Sequence, residues 1–419
     1  MPTADWLHRH SSALLTLDPA ADLTDLVPLR AIAGSARVVA IGENAHFVEE
    51  FSAVRRRVLR YLAERCGFTV FAFEFGFAAA PALDRWLNGT DYRTLEEVSP
   101  AAADWGASGL MHWLRDFNRT GAHPLRFAGI DLPDAGGALR PVLEPLTGFL
   151  READPESLPL VETALAVSDL FLDGHGSGAA AAPAWAGLDV AQQDALTASL
   201  ARLRLRLRAV EPLAVARTDA RRYRVAERML AAACTVDHMF RAMNDLFAGA
   251  GSPADLSVRD IYMAETVRWH LEHGGPDTRI VLAAHNNHIQ KTPNEFDGAI
   301  TALPMGRYLA EALGDDYVAI AATHTAGHVP EMLPDADAPA GFTLADVDLP
   351  DPPPGSIEAG LTEAGLGEAI TLTDLRGSPR GDEPGGIRTQ STVMSVPLPE
   401  AFDAVISVPT VTRDATVRF

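Results

Sequence analysis

The chain has 419 residues, 47 % of them hydrophobic and 22 % charged, enough for one large globular domain or two. A formal charge of −21 argues against a nucleic-acid binder, whose affinity comes from Lys and Arg neutralising phosphates. No apolar run approaches the roughly 20 residues of a membrane-spanning helix, and the N-terminus lacks the basic-then-apolar pattern of a secretory signal.

In chain order, Arg37–Ile41 reads as a buried strand and Phe47–Cys66 as a helix, with Gly67 placed to end it. Phe68–Phe75 and Leu125–Ile130 are the next strands, separated by a helical stretch that holds Trp86, Trp105 and Trp113. Strand–helix alternation of this kind calls for a largely parallel sheet with helices on its faces. Between Pro141 and Gly274 strand signals nearly vanish. There Leu196, Leu200, Leu203, Leu207 and Val210 follow a four–three spacing, one stripe of a helix, and Arg202, Arg204, Arg206 and Arg208 decorate its remaining surface. Strands resume at Arg279–Ala284 and Tyr317–Ala322. Residues 335–355, with Pro350-Asp351-Pro352-Pro353-Pro354 inside, and residues 376–386 read as loops. Gly174–Gly178 and the alanines after it read as a low-complexity connection.

The expected fold class is α/β: a largely parallel central sheet flanked by helices, with a sizeable, mostly helical insertion covering the cleft. Residues 1–140 would be the first α/β segment of a catalytic domain, 141–274 the helical insertion and substrate-binding region, and 275–419 the second α/β segment that completes it. Cys66 and Cys234 are too few and too far apart for a disulfide framework or a cysteine metal cluster, which fits a reducing cytoplasm.

Three strand ends carry the polar chemistry, at the carboxyl edge where open α/β sheets place their ligands. Glu43 and His46 follow the first strand. A Glu three residues from a His can fix its tautomer and prepare it as a general base; the same pair would also suit a capped helix entry with a packed histidine. His285 and His288 follow a later strand. Two imidazoles with Glu43 or Glu74 would suit a zinc or manganese ion, and equally a hydrogen-bonded pair. Glu74 lies among Phe71, Phe73, Phe75 and Phe77, where an unpaired carboxylate is costly, so it needs a partner, a cation or a functional proton; Arg55, Arg56 and Arg57 are the candidates for the cation. The sequence has no His-Glu-x-x-His motif, no Gly-x-Ser-x-Gly elbow, and no P-loop or dinucleotide-binding glycine pattern.

At these residues the sequence resembles the erythromycin esterases, most closely the type II branch. The matching segments are Gly42-Glu43-Asn44-Ala45-His46-Phe47, Phe71–Phe77, Gly129-Ile130-Asp131, Ala284–Pro293 and Leu303-Pro304-Met305-Gly306, in the same order. The resemblance implies a carboxylic ester hydrolase that opens macrolide lactones with an activated water, without a covalent serine intermediate or a cofactor. It makes His46 the general base, oriented by Glu43, with Arg55, Glu74, His285 and His288 completing the catalytic set. Asp131, Asn286, Phe77 and Met305 fall on its matching segments as substrate-binding residues. A monomer acting on a small-molecule macrolide or polyketide ester, with no nucleic-acid or membrane partner, is the implied setting. Ala45 and Asn287 depart from the family pattern, where a hydroxyl residue and a small apolar residue are usual. Two alternatives keep the same cleft: a divalent metal held by His46, His285, His288 and Glu74, or a non-catalytic binder of haem or a macrolide.

Overall fold

Six short apolar runs pair in parallel at the centre of the molecule. In the computed structural model, which describes residues 4–172, 176–296, 299–335, 337–378 and 385–418, the main sheet has eight strands. They are β1 (Ser11–Ala13), β2 (Val38–Ile41), β3 (Val70–Gly76), β4 (Arg126–Asp131), β5 (Ile280–Ala283), β6 (Tyr317–His324), β7 (Thr371–Asp374) and β8 (Ala404–Val408). Their spatial order is β1-β7-β8-β6-β2-β5-β3-β4. From β8 to β4 every pairing is parallel, while β7 and β1 add antiparallel strands at one edge. The fold is therefore the expected α/β class. Strands β2, β5 and β6 are buried along their whole length, which explains their unbroken apolar sequences.

The order places β5, from far along the chain, between β2 and β3. Ile41, Ala283 and Phe73 are level in the ladder, so the residues that follow them leave the sheet side by side. Against β4, Phe73 pairs with Gly129 and Gly76 with Asp131, so β3 carries one extra residue. That bulge holds Glu74, and bulges beside sites re-aim side chains in this way. Gly129 allows it: a Cβ there would lie 2.5 Å from the Gly76 carbonyl oxygen.

Helix α1 (Glu49–Cys66) follows β2 and ends where Gly67 adopts φ 75°, as expected for a left-handed cap. It starts two residues later than its sequence pattern implies. Phe47 has φ 64° and Val48 is extended, and both are held outside the helix by the C-terminal segment: the Asp414 N–H donates to the Phe47 carbonyl at 2.7 Å.

The stretch after β4 is helical, including α2 (Ala220–Phe247) and α3 (Val258–His273), up to β5. Its helices surround an apolar cluster of their own, to which Leu196, Leu200, Leu203 and Leu207 belong. Residues 342–348, read from sequence as loop, form a strand antiparallel to His328–Pro334. Its apolar residues Phe342, Leu344 and Val347 keep no strict alternation and stand among Asp and Pro, so the strand left little signal. Gly178–Ala186 is a helix capped by Ser177, and Gly385–Thr389 pairs with Thr392–Val396. The expected connection at Gly174-His175 and the loop segment 379–384 lie outside the described residues. Among the described residues no helix is long and apolar enough to cross a membrane.

Candidate active site

The chain leaves β2 through Gly42, whose N–H donates to the Ile320 carbonyl of β6 at 2.8 Å. A side chain is impossible here, because a Cβ would lie 1.9 Å from the Asn286 Oδ1. Asn286 opens the short helix Asn286–Ile289 after β5. Its N–H donates to the Glu43 carbonyl at 2.8 Å, and its side-chain amide pairs in both directions with the Ala322 backbone, at 2.8 and 3.1 Å. One buried asparagine thus ties both site-bearing loops to β6.

Glu43 Oε1 lies 2.8 Å from His46 Nδ1, and its other oxygen accepts from Arg55 Nη2 of α1 at 2.7 Å. Burial would raise the Glu43 pKa, but the Arg55 charge and the His46 hydrogen bond hold it at about 2. Burial would lower that of His46, yet the Glu43 hydrogen bond and charge outweigh it and the pKa rises above 6.5. A carboxylate accepts at Nδ1, so Nε2 of neutral His46 carries the lone pair. The His46 side chain is 28 % exposed, open enough for water to reach that nitrogen.

His285 sits opposite, its ring centroid 4.9 Å from that of His46. Its Nδ1 accepts the Asn287 backbone N–H at 3.2 Å, so Nε2 carries the proton. That buried N–H has no partner among the described residues. Burial and the neighbouring His46 push the pKa down to about 3, so the ring is neutral.

Glu74 anchors this turn by accepting the His285 backbone N–H at 3.0 Å. Its other oxygen accepts from Arg259 at 3.0 Å and lies 3.4 Å from His288 Nε2. Burial opposes its charge, but His288 and Arg259 hold the carboxyl well below the usual range. His288 Nδ1 bonds Asp260 Oδ1 at 2.7 Å, so the ring lies between two carboxylates. Against the cost of burial, they lift its pKa to about 9 and make it a cation at neutral pH. Arg259 also clasps Asp131, at 2.9 and 2.6 Å.

The structure brings Glu43, His46, Arg55, Glu74, His285, His288 and Asp131 into one connected cluster. It does not give Glu74 the partner expected from α1. Arg55 turns to Glu43, Arg56 to Glu49 and Arg57 to Asp25, and the cation for Glu74 comes from Arg259 on α3. Asn286 has its amide committed to Ala322. Phe77 is buried against Trp269 and His270, and Met305 is fully buried with its N–H donating to Asp260.

Sequence reasoning missed Arg259 and Asp260. A signal existed for Asp260: with Met263, Ala264 and Val267 it lies on the buried stripe of α3, where a carboxylate needs a reason. Among the described residues no three His, Cys, Asp or Glu side chains come together with the geometry to hold a metal ion.

A carboxylate-oriented histidine facing a neutral histidine N–H, at the carboxyl edge of a parallel sheet, is the site of an acid–base hydrolase. The chain belongs to the erythromycin esterase family, a family of carboxylic ester hydrolases; the family model matches residues 63–411. It is 33 % identical to the erythromycin esterase type II of Escherichia coli over 92 % of each chain. To the type I enzyme of that organism it is 34 % identical, over 94 % of this chain and 96 % of the other. A solved mutant erythromycin esterase, EreC, in its open conformation superposes with a TM-score of 0.89 at 32 % identity, covering 97 % and 99 % of the two chains.

Proposed function

We propose that this enzyme opens the lactone ester of erythromycin-type macrolides, or of a related polyketide ester, and so inactivates the antibiotic. The observation that carries the reading is the Arg55–Glu43–His46 relay facing the N–H of His285, in a chain of this family. A water at His46 Nε2 loses a proton to that nitrogen as its oxygen attacks the lactone carbonyl carbon. The carbonyl oxygen gains negative charge, which His285 Nε2–H stabilises. When the tetrahedral intermediate collapses, the ring C–O bond breaks and the leaving alkoxide takes the proton from His46. The product is the ring-opened hydroxy acid, and His46 is again neutral.

No covalent intermediate is invoked. The Cys66 and Cys234 thiols are pushed up by burial, Cys234 to about 11, and are poor nucleophiles. Both are free, which suits a cytoplasmic setting, and every group used comes from one chain, so a monomer suffices. Neither a nucleic acid, a membrane nor a cofactor enters the reaction.

The test is a panel of macrolides incubated with the purified protein and read by mass. Hydrolysis adds one water to the substrate, and His46→Asn should stop it. Saturable binding with unchanged masses would convert the reading to that of a binder.

A further inference from the structure

Asn44 lies between Glu43 and His46 in the loop that leaves β2, and it is fully buried. Its backbone carbonyl accepts the Gln390 N–H at 2.7 Å, and its side-chain oxygen lies 3.2 Å from Nδ1 of His324. His324 is the last residue of β6 and is also fully buried. The residues on either side of it are held in place. Thr323 Oγ1 donates to Glu358 at 2.5 Å, and Arg388 donates to the Thr325 carbonyl at 3.2 Å.

Burial, together with the charge of Arg388, pushes the His324 pKa down to about 3, so the ring is neutral. A neutral imidazole that bonds the Asn44 oxygen through Nδ1 carries its proton there. Its Nε2 is buried with no partner among the described residues. As core filling this is poor chemistry, since a leucine or methionine would occupy the space without burying an unpaired nitrogen. The bond to Asn44 accounts for a histidine at this place.

We propose that His324 is a positioning residue for the hydrolysis: through Asn44 it fixes the loop that sets Glu43 against His46. Gly42 and Asn286 tie the start of the same loop to β6, and the Asn44–His324 bond ties the part between carboxylate and base. The proposal rests on His46 being the base. It explains why an asparagine stands fully buried in the loop between Glu43 and His46.

The test compares His324→Gln with His324→Asn, with erythromycin as substrate. Glutamine places its amide near the Nε2 position and loses the Nδ1 donor, whereas asparagine keeps a donor near Nδ1. The Gln variant should lose kcat by about ten- to a hundredfold with little change in KM, as small misplacements of reacting groups do. Its acidic pH limb should move to lower pH, because Glu43 loses its hold on His46. The other titratable groups about His46, namely Glu74, His285 and His288, are untouched by these changes. His324→Asn should keep most of kcat and the limb. Asn44→Ala should match His324→Gln, and the double variant should be no worse than either alone. If His324→Gln does not fold, Asn44→Ala provides the same readouts. Wild-type kcat in the Gln variant, equal losses in Gln and Asn with an unmoved limb, or additive losses in the double variant would each overturn the proposal. A limb that survives His46→Asn would instead overturn the base assignment, and the role of His324 with it.

Discussion

The Nδ1 of His285 accepts the Asn287 backbone N–H at 3.2 Å, and this bond separates the roles of the two central histidines. His46 makes its Nδ1 contact to a carboxylate and keeps an accepting Nε2; His285 makes its contact to an N–H donor and keeps a donating Nε2. In the proposed reaction the first ring takes a proton and the second steadies an oxyanion. His285→Ala should therefore lower kcat by about 10²–10³-fold, the usual loss for an oxyanion donor, and leave the acidic limb of the pH profile in place. Steady-state kinetics across pH would check this. Disappearance of the limb in that variant would make His285 the base.

The raised pKa of His46 fixes the sign of the pH dependence. The base must be neutral, so kcat/KM should fall as pH drops through a free-enzyme pKa above 6.5. Glu43 is what favours the imidazolium. Glu43→Gln should thus move the limb to lower pH while reducing kcat, since the neutral amide orients the ring less firmly. A limb that moved up instead would contradict the proposed pairing.

His288 acts on stability. Its pKa stands at about 9 against 6.5 for the free side chain, so the folded state binds this proton more tightly than the unfolded chain. The stabilisation is complete below pH 6.5 and is lost as pH rises through about 9. The pKa difference corresponds to about 3 kcal/mol. Urea unfolding between pH 6.5 and 9.5 should show this loss in the wild type. His288→Gln should be less stable at pH 6.5 and flatter across the range; an equally steep decline would mean that another group titrates.

Much of the fold was legible because parallel strands buried on both faces leave continuous apolar runs, as at Val38–Ile41 and Ile280–Ala283. The proposed base and its carboxylate were legible for the same reason, since His46 and Glu43 directly follow such a run. What stayed hidden is whatever depends on partners distant in sequence. Glu74 announced its need for a cation, but nothing in the chain pointed 185 residues ahead to Arg259. The edge strand Ser11–Ala13 pairs with Thr371–Thr373, far along the chain; residues 342–348 pair with the nearby 328–334, but their mixed sequence carries little periodicity. Asn286 is expected at the substrate only from its place on a segment shared with the family; the sequence does not show that its amide bonds the Ala322 backbone of β6.

Arg259 is a cation shared by two buried carboxylates. It meets Glu74 at 3.0 Å and Asp131 at 2.9 and 2.6 Å. Arg259→Met would leave both carboxylates short of their counter-charge, a loss on the order of 3–5 kcal/mol. Because Glu74 also holds the His285 N–H, activity should fall with stability. Equilibrium unfolding of the variant, followed by kinetics at a temperature where it is folded, would measure each. Unchanged stability would mean that Glu74 and Asp131 protonate or hydrate at little cost.

The last prediction concerns metal. Both oxygens of Glu43 are engaged, by His46 and Arg55, and both of Glu74, by the His285 N–H, Arg259 and His288. The His285 Nδ1 accepts from Asn287, and His288 lies between Asp260 and Glu74. Among these side chains only the Nε2 atoms of His46 and His285 are left, and one of them carries a proton. Two imidazoles fall short of the three protein ligands that a catalytic zinc takes. Hydrolysis of erythromycin should therefore survive exhaustive dialysis against a chelator with kcat unchanged, and added Zn²⁺ or Mn²⁺ should not raise it. Loss of activity on chelation, restored by either ion, would show that the relay opens to accept a metal and that the water is activated there, rather than by His46.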